Sequence, residues 1–123
     1  MPIRTVMVVD DSETDRHFLS EVLRTAGYEV IAVDSAEAAH ARIRDALPDL
    51  VLMDLVMPGQ DGFQAIRELA RGAETRAIPI FICSSKTQAS DRVWGLRQGA
   101  KEYITKPVQR EDLLAKIAAL SAA

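Results

Sequence analysis

The chain has 123 residues, 48% apolar and 27% charged, a length that supports one hydrophobic core and a composition that argues against disorder. Its net charge is −3, from 15 basic and 18 acidic residues, and the basic residues are scattered, so direct nucleic-acid binding has no electrostatic footprint. No apolar run approaches membrane-spanning length, the amino terminus lacks the apolar segment of a secretion signal, and Cys83 is the only cysteine, which excludes an internal disulfide or multi-cysteine metal site and leads us to expect a cytoplasmic location.

Thr5–Val9 is rich in β-branched residues and ends in Asp10 and Asp11, as expected of a strand buried on both faces. Residues 12–26 carry Phe18, Leu19, Val22, Leu23 and Ala26 at helical spacing, with Gly27 as the stop. Residues 29–33 form a weaker strand. Asp34 and Glu37 have the form of a capping pair for an alanine-rich helix with Ala36, Ala39, Ile43 and Ala46 or Leu47 inward, ended by Pro48.

The central apolar run Leu50–Met53 ends in Asp54, followed by the turn residues Pro58, Gly59 and Gly62. Asp61 and Gly62 open a helix through about Arg71, with Phe63, Ile66, Leu69 and Ala70 on one side. A fourth strand spans Pro79–Cys83, followed by a polar loop that starts at Ser84. Cys83 reads as a small buried hydrophobe rather than a reactive thiol. A short helix over 90–98 is interrupted by Gly95 and stopped by Gly99. Residues 102–105 make a fifth strand, leading into Lys106 and Pro107. A last helix over 111–121 turns Leu113, Leu114, Ile117 and Leu120 inward. The order is (βα) five times, which implies an α/β fold: a doubly wound, five-stranded parallel sheet with right-handed crossovers. No repeat, low-complexity tract or linker is visible, so one domain over 1–123 is expected.

Asp10, Asp11, Asp54, Ser84 and Lys106 all follow apolar runs. Parallel strands bring such ends to one sheet edge, and in the winding order 2-1-3-4-5 the acids after strands one and three meet at the topological switch point. Three converging carboxylates repel one another unless a cation neutralises them. Oxygen-only ligands favour Mg²⁺, whose shell phosphate oxygens typically complete. The histidines, His17 and His40, lie on helices and read as partly exposed surface residues. Lys106 adds a fixed positive charge and Ser84 a hydroxyl, both suited to phosphoryl oxygens. The available nucleophile is then a carboxylate, and Asp54, ending the central strand, is better placed to attack than the adjacent Asp10 and Asp11. Neither GxxxxGK[ST] nor GxGxxG occurs, so the phosphoryl donor must come from elsewhere.

Val9-Asp10-Asp11-Ser12, Met53-Asp54-Leu55-Val56-Met57-Pro58-Gly59 with Asp61-Gly62, and Lys106-Pro107 together resemble the receiver domain of two-component response regulators, over essentially the whole chain. The resemblance implies a flavodoxin-like fold in which Asp54 accepts a phosphoryl group from a sensor histidine kinase. It also implies Mg²⁺ held by Asp11, Asp54 and the carbonyl of Val56, with Asp10 acting through water. Lys106 would contact the phosphate through a loop with a cis Lys106–Pro107 bond, and Asp54, Lys106 and Ser84 would carry the chemistry. Ser84 and Tyr103 would be the switch pair, altering the face of the fourth helix, fifth strand and fifth helix that a downstream effector reads. Residues 93–100 and 103–108 further resemble single-domain regulators of type IV pilus twitching motility, in which Trp94 would belong to a partner surface or pack on its own domain.

The resulting expectation is a stand-alone, non-enzymatic phosphorelay module without an output domain, monomeric or weakly dimeric on phosphorylation. Alternatives are an unphosphorylated interaction module, a phosphate sink, or a small Mg²⁺-dependent phosphatase; the last would need an acid where Val56 stands. Val56 and Lys86 occupy the positions that tune lifetime in the family, and neither side chain orients a hydrolytic water as an amide or acid does. Self-dephosphorylation of phospho-Asp54 is therefore expected to be slow; a half-life of only seconds, measured by phosphate release without a phosphatase, contradicts this.

Overall fold

The computed structural model describes residues 2–57 and 60–122; Pro58 and Gly59 of the turn motif lie outside the described residues. Five strands, β1 (Thr5–Val9), β2 (Glu29–Val33), β3 (Leu50–Met53), β4 (Ile80–Ser84) and β5 (Glu102–Thr105), alternate with five helices. These are α1 (Glu13–Thr25), α2 (Ala36–Asp45), α3 (Gly62–Arg71), α4 (Ala89–Gln98) and α5 (Arg110–Ala122). The sheet is parallel throughout, in the order β2-β1-β3-β4-β5, as the alternation of apolar runs and amphipathic segments predicts. A small antiparallel ladder pairs Val56 with Asp61 and Met57 with Gln60 between β3 and α3; the sequence gives no periodic signal for so short an element.

Because successive strand side chains point to opposite faces, each buried strand feeds two cores. Met7, Val9, Val51, Met53, Ile80, Ile82 and Tyr103 pack with Ala39, Ile43, Ala65, Ile66 and Leu69 on the α2 and α3 side. Val6, Val8, Leu50, Leu52, Phe81, Cys83 and Ile104 pack with Leu19, Val22, Leu23, Leu113 and Ile117 on the α1 and α5 side. Burial pushes the Cys83 thiol up to about 12, in keeping with its reading as an inert hydrophobe.

Several local expectations are corrected. In α1 the inward stripe is Leu19, Val22 and Leu23, whereas Phe18 is 44% exposed and Ala26 is also exposed. Phe18 sits one step around the helix from the stripe and lines a cleft with Pro107 and Val108. The cap of α2 is Ser35, whose hydroxyl accepts from the Ala38 amide at 3.0 Å, rather than Asp34. Ala46 and Leu47 do not extend the α2 face, because the chain is already extended at Ala46. β4 begins at Ile80 rather than Pro79, since proline cannot donate to the ladder, and it reaches Ser84. The helix over 89–98 begins one residue earlier than expected, and the helix over 110–122 is longer by one residue at each end. His17 is exposed, and His40 is half-buried, 3.2 Å from Glu68 across α2 and α3.

Two glycines set close approaches. Gly95 is the only buried residue of α4, and a Cβ there would lie 2.5 Å from Ile82 Cδ1 and 3.4 Å from the Tyr103 ring. At Gly62 a Cβ would lie 2.6 Å from Leu55 Cα and 2.8 Å from its carbonyl oxygen. Backbone cannot rotate away as a side chain can, so Gly62→Ala is expected to cost about 1–3 kcal/mol, the usual size of an overpacking penalty. Urea unfolding measures this, and an unchanged midpoint contradicts it.

Candidate functional site

The sheet topology delivers the acids. The amide of Asp10 donates to the Val33 carbonyl at 3.1 Å, that of Asp54 to the Val9 carbonyl at 3.0 Å, and that of Lys106 to the Ser84 carbonyl at 2.9 Å. Each residue thus extends a parallel ladder one step past its last strand position, and three distant segments meet at the carboxyl edge of the sheet.

Asp10 and Asp54 are buried, and Asp11 is exposed. Carboxylate oxygens of the three lie within 4.8 Å of one another, so the cluster is able to hold a metal ion. The donor set is all carboxylate oxygen, with neither thiolate nor imidazole, and it therefore fits a hard divalent cation. Asp10 Oδ1 accepts from the Ser12 amide at 2.9 Å, and Asp54 Oδ1 from the Val56 amide at 3.1 Å. The Asp10 carbonyl accepts from Arg16 at 2.9 Å.

Lys106 is the counter-charge. Its ammonium donates to Asp10 Oδ2 at 2.8 Å, Asp15 Oδ2 at 2.8 Å and Asp54 Oδ2 at 3.4 Å, which occupies all three of its N–H bonds. The loop carrying it has a cis Lys106–Pro107 bond, as expected. Burial works to lower its pKa, but the hydrogen bonds to Asp10 and Asp15 and the charge of Asp54 outweigh it, and Lys106 is held above the ordinary lysine range. Burial pushes the Asp54 carboxyl above its usual value; the Val56 amide and Lys106 pull it down, and the Asp10 charge adds to the rise.

Ser84 is fully buried at the end of β4, and its hydroxyl accepts from the Lys86 amide at 3.3 Å. Tyr103 is buried with its ring turned in, and its hydroxyl donates to the Lys86 carbonyl at 2.8 Å. Burial raises the Tyr103 pKa, with the Ser84 hydroxyl acting against it. The side chain of Val56 is 48% exposed. The structure therefore joins Asp10, Asp11, Asp54 and Lys106, with Ser84 and Tyr103 on the neighbouring strands. Sequence reasoning missed Asp15 and Arg16, which it did not single out. Their signal was position, since the first turn of a helix that follows β1 lies over the same edge.

This fold and this edge of acids and lysine have known counterparts. The model of the response regulator receiver domain matches residues 6–118, and the chain belongs to that family. It is 47% identical to Protein PilH of Pseudomonas aeruginosa, covering 95% of this chain and 97% of that protein. A putative response regulator from Chloroflexus aurantiacus superposes with a TM-score of 0.92 at 32% identity, covering 100% of both chains. The chemotaxis protein CheY4 of Vibrio cholerae superposes with a TM-score of 0.88 at 28% identity, covering 95% of this chain and 98% of that one.

The electrostatics give opposite signs for two substitutions. A carboxyl with a raised folded-state pKa contributes stability below its unfolded value, and this is lost as pH rises through the folded value; ionised Asp54 thus costs stability at neutral pH. Asp54→Asn is expected to raise the urea midpoint at pH 7 without divalent cations. Lys106→Met leaves Asp10 and Asp54 without their counter-charge and is expected to lower stability by about 3 kcal/mol, the lower end of the cost of breaking a buried pair. Shifts of the same sign contradict this account.

Proposed function

We propose that this receiver domain is a phosphorylation-controlled switch whose acceptor is Asp54, loaded by the phosphohistidine of a sensor histidine kinase in the cytoplasm. The observation that carries the reading is the position of the Asp54 carboxylate, buried between an oxygen-only acid cluster and the Lys106 ammonium. An Asp54 oxygen attacks phosphorus, the P–N bond to the kinase imidazole breaks, and its electron pair stays with the imidazole. Lys106 stabilises charge on the transferred group, and the Ser84 hydroxyl donates to one of its oxygens.

Asp11, Asp54 and the Val56 carbonyl would hold Mg²⁺, with Asp10 acting through water; when bound, the ion neutralises negative charge on acceptor and phosphoryl oxygens. Ser84 and Tyr103 relay the change toward α4, β5 and α5. Val93, Trp94 and Leu96 on α4 are exposed, at 50%, 47% and 39%. Such apolar side chains suit a downstream effector. Turnover of external substrates is not part of this reading. The resemblance of residues 93–100 and 103–108 to twitching-motility regulators, together with 47% identity to Protein PilH over 97% of its length, supports a place in chemosensory control of pilus motility.

Incubation with Mg²⁺ and acetyl phosphate, followed by peptide mass spectrometry, is expected to find a phosphoryl adduct on Asp54 that Asp54→Asn lacks. An unmodified Asp54 under these conditions removes the reading.

A further inference from the structure

Lys106 has three N–H bonds and all are engaged. To reach a phosphoryl oxygen it must loosen its hold on one carboxylate. Asp10 and Asp54 side chains are 2% and 7% exposed, so leaving either unpaired strands a charge away from water. The side chain of Asp15 is 42% exposed, and water can take the place of the lysine there. Yet the Asp15 contact, at 2.8 Å, is shorter than the 3.4 Å contact to Asp54. Asp15 therefore competes strongly for the ammonium while being the partner most easily released. It also lines, with Thr14, Phe18, Lys106, Pro107 and Val108, a cleft of about 250 Å³ that opens onto Lys106.

We infer that Asp15 is a positioning and specificity residue that withholds Lys106 from incoming phosphoryl groups and discriminates against small phosphodonors of high negative charge. This rests on the acceptor reading of Asp54. With acetyl phosphate, an Asp54 oxygen forms the new O–P bond, the bond from phosphorus to the acetyl oxygen breaks, and acetate leaves with the electron pair. The reactant is a dianion, and the Asp15 carboxylate both repels it and ties up the cation that should receive it. Phosphoramidate, a zwitterionic monoanion that releases ammonia by P–N cleavage, meets less repulsion.

The full chain with Mg²⁺ is phosphorylated by each donor at low and high ionic strength, with label on Asp54 followed by mass spectrometry. Asp15→Asn is expected to react roughly tenfold faster with acetyl phosphate, the scale of one unit charge acting on a dianion at a hydrated site, and to gain less with phosphoramidate. Added salt should accelerate the wild-type reaction with acetyl phosphate more than that of Asp15→Asn, because it screens the repulsion. Asp15→Glu, which keeps the charge, should stay close to wild type. The backbone amide of Asp15, rather than its side chain, takes the Ser12 cap at 3.2 Å, so the Asn variant retains the helix start. An Asp15→Asn chain that is equally fast or slower, or that accelerates with both donors alike, overturns the inference while leaving Asp54 as acceptor. An unlabelled wild type removes the acceptor reading and this inference together.

Discussion

A single ammonium among carboxylates governs this molecule. Lys106 reaches Asp10, Asp15 and Asp54, residues 96, 91 and 52 positions away in sequence, and so ties β1, the first turn of α1, β3 and the β5–α5 loop into one corner. With Asp11 beside them, four acids face the Lys106 ammonium, and the Arg16 guanidinium donates to the Asp10 carbonyl. Burial makes an unbalanced charge on Asp10 or Asp54 costly, and the acids outnumber the cations at this corner even with Lys106 in place. The Asp54 pKa is raised chiefly by burial, and the Asp10 charge adds to the rise. A hard divalent cation among Asp10, Asp11 and Asp54 would balance the excess of acid.

The fold supplies the convergence cheaply. Parallel strands end on a common edge, and the ladder continues through the backbone of Asp10, Asp54 and Lys106. The functional side chains thus inherit the rigidity of the sheet, although they stand just past its formal limits. Two apolar cores hold that sheet from either side. α4 is the exception: among its described residues only Gly95 is buried, and its amino end has no side-chain cap. This helix lies against Tyr103 and bears exposed apolar side chains, and with so little buried it belongs to the less firmly held part of the fold.

Much of this was legible before the structure, because strands buried on both faces leave unmistakable apolar runs and the acids that end them mark the sheet edge. The Asp10, Asp11, Asp54 and Lys106 convergence was expected on the strand order 2-1-3-4-5, which the family motifs imply and apolar spacing alone does not fix. What escaped notice depended on angles that one-dimensional spacing blurs. Phe18 fits the inward periodicity of α1 yet faces a cleft. Ser35 caps α2 where the Asp34 and Glu37 pattern suggested the neighbouring residue. Asp15 resembled any solvated helix acid, and only the three-dimensional path of the Lys106 loop gave it a partner.

The central claim is that Asp54 carries the phosphoryl group while Lys106 and the acid cluster balance its charge. The most direct test is a crystal structure grown with Mg²⁺ and beryllium fluoride, a mimic of the phosphoryl group. The account predicts fluoroberyllate bonded to Asp54 Oδ, a cation beside Asp10, Asp11 and Asp54, and Lys106 turned to a fluorine. Fluoroberyllate bound to another residue, or bound to Asp54 with Lys106 still engaged by all three carboxylates, contradicts it.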